Sequence, residues 1–254
     1  MINKQRGATL IVVLFLLLAI IVLGTLAVRQ SLVSLNIATN SQAQQLLLQN
    51  SDSAFFNVER EDNIIQALSS SGMFGYISGA TDKEKEMVFC YRGAEPSFFD
   101  INRASLIYWK PGEAAPTNNE FGVDGYCNAD ESTTNFFTSG RKVVMTQVAV
   151  KFTSISENDP FFGAQFGTDD KTVKFDSTKP VKVFAISVMP TLTNASTADI
   201  NNCFRNHMSE ATVPEDTSVA LNAISRKTVT ECLADLNVPY TSHVTEYVIV
   251  QDFV

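Results

Sequence analysis

The most prominent feature in the pattern of apolar and polar residues is one uncharged run, from Ala8 to Val28. All but three of its residues are apolar, the exceptions being Thr9, Gly24 and Thr25. At about 1.5 Å per helical residue the run spans roughly 31 Å, the thickness of one hydrocarbon core. Lys4 and Arg6 precede it, and positive charge there keeps the short end in the cytoplasm. We therefore expect the rest of the chain on the exported side of a membrane.

A helix longer than the membrane span is predicted, because no Gly or Pro occurs between Gly24 and Gly72. We expect it to run from Ala8 to about Phe56, roughly 75 Å. Its outer half combines Ser, Thr, Asn and Gln with loosely helical apolar positions: Leu32, Leu35 or Ile37, Ala38, Ala43, Leu46, Leu47, Ala54 and Phe55. Such a helix is not stable alone, so its apolar stripe must pack on the chain's own globular part or on similar helices.

A second helix is predicted from Val58 to Leu68, with Asp62 as its N-cap. Short strands are predicted after it. The strand candidates are residues 86–91, 106–109, 142–152, 181–189 and 244–254. In the last of them Tyr247, Ile249 and Phe253 share one side. Turn-rich stretches separate these segments. The pattern predicts an α+β fold in which a long N-terminal hydrophobic helix precedes a mainly antiparallel sheet with long loops.

Four cysteines lie on the exported side, at Cys90, Cys127, Cys203 and Cys232. An even number in an oxidising compartment indicates two disulfides, of which three pairings are possible. Joining nearest neighbours is the simplest pairing. The alternative is a metal site made of Cys203, Cys232 and the histidines His207 and His243, whose spacing lacks the usual paired cysteines.

Composition argues against several functional classes. The formal net charge is −8, which disfavours a protein that coats nucleic acid, and no direct nucleic-acid site is evident. The sequence has no Gly-x-Ser-x-Gly, no His-Glu-x-x-His and no phosphate-binding glycine loop, so we expect no enzyme and no cofactor. The acidic stretch 124–131 has oxygen ligands of the kind that Ca²⁺ prefers, but lacks the full loop pattern and is better explained as a solvated loop.

The N-terminal residues resemble a type IV prepilin leader junction, since residues 5–14 read QRGATLIVVL. The resemblance is closest to PilX-type minor pilins, whose pattern also matches Leu23–Ala27 and, by spacing, Gln45–Phe55. It covers about residues 4–58. It implies that prepilin peptidase cuts between Gly7 and Ala8 and that the new amine of Ala8 is methylated. The parts are then a leader at 1–7, a long helix at 8–57 with its transmembrane and assembly segment at 8–28, and an exported α+β domain at 58–254.

Val12 departs from the pattern of major pilins, which carry Glu at this fifth mature position to pair with a neighbouring amine. A carboxylate in lipid is costly unless it is paired. A subunit with no predecessor has no use for it, so Val12 fits a tip or initiating subunit. Together with Gly24, Val12 lies in the segment that the resemblance assigns to assembly.

The resemblance implies a minor pilin that waits in the bacterial inner membrane with its C-terminus in the periplasm and then joins an extracellular pilus. Its implied partners are other minor pilins, the major pilin, prepilin peptidase and the inner-membrane assembly platform. Motility, adhesion or DNA uptake are the implied activities. Two alternatives stay open, a membrane-anchored periplasmic binding protein and a type II secretion pseudopilin.

Overall fold

The structure is a computed structural model that describes residues 8–76, 84–93, 95, 97–130, 138, 143–152 and 179–249. The chain divides into two compact units, Met1–Gln45 and Leu46–Val254. One uninterrupted helix, α1 (Ala8–Glu59), contributes to both. The helix predicted to end at about Phe56 therefore extends to Glu59, consistent with the absence of Gly and Pro after Gly24.

The first unit contains the N-terminal part of α1. Its apolar side chains from Leu10 to Val28 are all exposed, as are Leu32, Val33, Leu35 and Ile37. Within the described residues, α1 is the one helix that is long and apolar enough to span a membrane.

The second unit contains the end of α1, three shorter helices and a sheet. The helices are α2 (Glu61–Leu68), α3 (Thr197–Asn206) and α4 (Val229–Asp235). The strands are β1 (Glu86–Tyr91), β2 (Ser105–Ile107), β3 (Met145–Phe152), β4 (Lys179–Val188) and β5 (Tyr240–Ile249). In the described residues these strands form one antiparallel sheet in the order β2-β1-β3-β4-β5. The α+β class with a long N-terminal hydrophobic helix is confirmed.

The predicted N-cap of the second helix was wrong. The helix α2 begins at Glu61 with Arg60 as its N-cap, and Asp62 lies inside the first turn. Because α1 continues to Glu59, only Arg60 separates the two helices. The two carboxylates of the first turn instead favour the helix by facing the positive end of its dipole.

Alternation along the strands divides the core between the two sheet faces. Val148, Val150 and Phe152 of β3 pack in one cluster with Ala54 and Val58 of α1. Met145, two β4 residues and the buried faces of α3 and α4 form a second cluster. Since all eight residues of β3 are buried, this strand has no solvated face. β5 begins at Tyr240, four residues before the prediction, and residues 250–254 lie outside the described part.

Candidate functional site: the exposed apolar helix and its anchoring

The N-terminal part of α1 is an unusual surface for a folded protein, because its exposed apolar side chains are contiguous. Large exposed apolar areas mark contacts with lipid or with other proteins. Arg29 is the only charged residue of α1 before Asp52. Val12 has 58% of its surface exposed and therefore lies on this surface. The segment can be buried only by a membrane, by other helices, or by each in turn.

Gly24 is a second feature of this surface. A side-chain Cβ placed on Gly24 would meet nothing within 4 Å. Glycine inside a helix costs roughly 1 kcal/mol relative to alanine. No contact within the described residues therefore requires a glycine here. In membranes, small residues allow two helix backbones to approach closely, which makes Gly24 a candidate contact point for another helix.

The C-terminal part of α1 is fixed in the second unit by one column of side chains: Leu47, Ser51, Ala54 and Val58, all at most 2% exposed. Their spacing of four, three and four residues puts them on one helix face. The hydroxyl of Ser51 donates to the carbonyl oxygen of Ala185 on β4 at 3.3 Å. The small residues Ser51 and Ala54 let the helix approach the sheet. Sequence patterning had placed Leu47 and Ala54 in the apolar stripe but had missed Ser51 and Val58.

Polar contacts flank this column along one side. The Tyr91 hydroxyl of β1 lies 3.0 Å from the Ser53 hydroxyl and accepts a hydrogen bond of 2.8 Å from the Asn57 amide. These bonds cross between α1 and the sheet, so they fix the rotation of the helix as well as its distance.

The edge strand β5 makes a corresponding set of contacts on the other side. His243 lies 3.3 Å from Asp52, and its ring stacks near Phe55. The Tyr247 hydroxyl donates to Glu59 at 3.0 Å. Burial and the neighbouring Glu59 carboxylate raise the pKa of Tyr247, so this donor stays protonated at neutral pH. Sequence patterning had put Tyr247 on one side of this strand with Ile249 and Phe253, without saying which side faces the core.

A row of charged residues crosses the sheet on the opposite face, which sequence patterning missed. Glu86, Lys151, Lys182 and Glu246 are successive cross-strand partners on β1, β3, β4 and β5. The Lys151 side chain is 2% exposed and donates to Thr212 at 2.8 Å and to the Glu210 carbonyl oxygen at 3.2 Å. Lys182 contacts the Glu210 carboxylate at 3.0 Å. The available signal was a charged residue in a largely apolar strand, namely Glu86 in β1 and Lys151 in β3.

Glu86 is the most buried carboxylate of the row. Its two oxygens accept hydrogen bonds from the backbone amides of Ser209 and Glu210, at 2.7 and 2.8 Å. Burial raises its pKa to about 7, although these two amides and the positive charge of Lys151 oppose the shift. Glu86 therefore holds the segment after α3 against the sheet through a group that titrates near neutral pH.

Both disulfides occur in the structure, and they join nearest neighbours: Cys90 to Cys127 and Cys203 to Cys232. The second links α3 to α4. Since both of its sulfurs are bonded, the alternative zinc set has no thiolate to offer. His207 has its Nδ1 atom 2.9 Å from the Lys227 carbonyl oxygen, and His243 contacts Asp52, so the two histidines lie in separate environments.

The acidic stretch 124–131, which the sequence pattern favours as a solvated loop over a Ca²⁺ site, is organised by hydrogen bonds from Asn201 where it is described. Asn201 of α3 donates to the side chains of Asn128 and Asp130 at 2.7 and 2.9 Å. The side-chain carbonyl oxygen of Asn201 accepts a hydrogen bond from the backbone amide of Ala129 at 2.7 Å. No group of three His, Cys, Asp or Glu residues suited to a metal occurs among the described residues, and Glu131 lies outside them.

The processing junction falls mostly outside the described residues, since these begin at Ala8, the first residue of α1. Of the adjacent Phe pairs in the sequence, Phe98 and Phe99 pack against the core cluster that contains Ala54 and Val58, together with Phe55. Phe56 is instead 69% exposed. The pairs at 136–137 and 161–162 lie outside the described residues.

Comparison with known proteins gives no relative from which a role could be transferred. No family model, no curated protein and no solved structure matches the chain. Its function must therefore be argued from its own residues and their geometry.

Proposed function

We propose that this protein is a minor pilin of a type IV pilus, of the PilX type. The observation that carries the proposal is α1, a single helix whose first part is apolar and exposed and whose last part is locked against a sheet. The helix is continuous from Ala8 to Glu59, so one element carries both the apolar surface and the contact with the sheet. The prepilin-like residues before the helix supply the means of processing.

In this proposal the protein first resides in the bacterial inner membrane, with its second unit in the periplasm. Prepilin peptidase cuts after Gly7, and the amine of Ala8 is methylated. Cleavage removes Lys4 and Arg6, which hold the cytoplasmic end, so the helix can leave the bilayer. Its apolar surface then packs on the helices of other minor pilins and of the major pilin, with the assembly platform driving extraction.

The absence of a carboxylate at Val12 supports a position at or near the filament tip. A tip or initiating subunit has no preceding subunit whose amine would compensate a buried charge. From there it would initiate assembly and support motility, adhesion or DNA uptake. Val12→Glu should leave incorporation into the filament unimproved, whereas a clear gain would contradict the tip assignment.

Intact-mass measurement of membrane-extracted protein tests the proposal directly. We expect a chain that starts at methylated Ala8, and we expect Gly7→Ala to retain the leader and block incorporation. Asn3→Ala, a change elsewhere in the leader, serves as the matched control and should be processed normally. An N-terminus at Met1 would favour the anchored binding protein, and one near Val28 would indicate a cleaved signal peptide. If a strain without this protein fails to secrete proteins but still makes intact pili, the type II pseudopilin would be favoured instead.

A further inference from the structure

A cleft in the second unit lies apart from α1 and from the charged row. It has a volume of about 250 Å³ and lies between the end of α2, the turn that follows it and the segment 97–101. Sites for drug-sized ligands occupy roughly 300–1,000 Å³. The cleft therefore fits one small ring rather than an extended molecule.

One wall of the cleft is held in place by close backbone packing. Phe74 and Gly75 both donate to the carbonyl oxygen of Ala67 on α2, at 2.8 and 3.1 Å. A Cβ on Gly72 would lie 2.1 Å from the Gln66 carbonyl oxygen, and one on Gly75 would lie 1.9 Å from that of Ser69. Only glycine permits this approach, so the turn is folded back tightly on the helix end.

The opposite wall is held by aromatic packing. Phe98 and Phe99 both meet the buried Phe89 ring edge to face, with centroids 5.3 and 5.1 Å apart. Asp100 caps the short helix Ile101–Arg103 by accepting from the Asn102 amide. Both walls are thus formed before any ligand arrives, which lowers the entropic cost of binding.

The lining combines apolar rings with polar groups that are mostly uncharged. Phe98, Phe99 and Met73 supply the apolar part. The polar groups include the Gln66 amide and the hydroxyls of Ser71 and Ser97, all on exposed residues. Amides and hydroxyls both donate and accept, as adjacent hydroxyl groups of a ligand require. Asp100 adds one carboxylate acceptor.

The same lining disfavours other classes of ligand. Among the described lining residues there is no Lys, Arg or His, so nothing would balance a phosphate or carboxylate. A single carboxylate does not make a metal site, and a purely apolar ligand would displace water from the amide and hydroxyls without replacing its hydrogen bonds. We propose that the cleft binds one neutral sugar ring, such as a hexose or N-acetylhexosamine unit of a surface glycan, with its hydroxyls on the polar side and its apolar face on the phenylalanines.

Saturation-transfer NMR on the full chain tests this proposal, in a detergent that carries no sugar headgroup. Free glucose and N-acetylglucosamine are the probes. We expect saturation transfer from the protein with dissociation constants of about 1–10 mM, the range of weak single-ring binding. Gln66→Ala combined with Ser97→Ala should weaken binding by roughly tenfold or more, because two hydrogen bonds are lost.

Matched controls separate binding from folding. Gln49→Ala and Ser70→Ala change exposed residues outside the lining and should leave binding unchanged. The emission of Trp109, which is buried in the same unit, should be identical in all variants. N-Acetylneuraminic acid, a charged sugar, should bind more weakly than the neutral probes because it faces Asp100.

Absence of saturation transfer with both neutral probes would overturn the proposal, as would an unchanged dissociation constant in the Gln66 and Ser97 double variant. Equal binding of the charged sugar would also contradict it. These outcomes do not depend on processing at Gly7, so the sugar site and the pilin function can fail independently.

Discussion

Replacing Glu86 by glutamine tests whether the buried charged row makes folding depend on pH. The pKa of Glu86 rises from 4.5 to about 7 on burial, so the folded state binds a proton that the unfolded chain has released. At about 1.36 kcal/mol per pKa unit, this difference corresponds to about 3 kcal/mol.

The sign of this effect follows from the raised pKa. Stability contributed by the bound proton is fully present below pH 4.5 and is lost as the pH rises through 7. Wild-type protein should therefore be up to about 3 kcal/mol less stable at about pH 8.5 than at about pH 4.5 on account of this group alone. The glutamine variant lacks the titration and should not show that loss.

Groups that face Glu86 are present in both proteins and cancel in the comparison. They are Lys151, Tyr126 and the amides of the segment after α3. Near pH 4.5 the two side chains are both uncharged and similar in shape, but the glutamine NH2 group cannot accept the second backbone amide, so we expect an offset in stability that does not depend on pH. The stability of wild type relative to the variant should then fall as the pH rises.

Urea unfolding of the full chain in detergent, followed by the fluorescence of Trp109, measures this difference. Trp109 is the only tryptophan and is 5% exposed, so its emission reports on the second unit. The disulfides must stay oxidised throughout. Glu215→Gln, at an exposed position, is the matched control and should follow the wild-type pH profile. If the profiles of wild type and Glu86→Gln stay parallel from pH 5 to 8 within about 0.5 kcal/mol, the reasoning is refuted.

Three further predictions concern how the second unit is held together. Leu47→Ala, at a fully buried position on α1, should lower the free energy of unfolding by about 2–5 kcal/mol in the urea titration. Leu48 is 39% exposed, so Leu48→Ala is the control and should lower it much less. Replacing both Cys203 and Cys232 by serine should cost about 3–4 kcal/mol, since their sequence separation is 29, and reductant should then destabilise the variant less than wild type. Thr228→Ala removes the capping box of α4 and should lower the free energy of unfolding by about 1 kcal/mol, measured by thermal or urea unfolding. Reducing the disulfides should destabilise this variant as much as it destabilises wild type.

Much of the α-helical and strand pattern could be predicted from the sequence because it is local. The stretch without Gly or Pro predicts a helix that continues past the apolar run, and α1 does continue to Glu59. The strand at 86–91 and the buried strand near 181–189 also appear, as β1 and β4. Periodicity along one segment carries this information without reference to any partner.

Details at element ends escaped prediction for a physical reason. Asp62 is a good N-cap by residue type, but α1 reaches Glu59 and leaves Arg60 as the only connecting residue. The start of β5 at Tyr240 follows from its pairing with Val188, which no local pattern reveals. Packing partners distant in the chain decide such boundaries.

The sequence by itself determined the apolar segment, the acidic composition, the four cysteines and the resemblance to a prepilin junction, since each depends only on which residues follow one another. The tertiary structure decided which face of α1 is buried, since Ser51 and Val58 join the column only where the helix meets β4 and the core. It also decided that Glu86 and Lys151, far apart in the chain, become cross-strand neighbours in a buried row. The sequence shows that a strand contains a charged residue. The partner of that residue and the loss of its hydration arise only after the strands have paired.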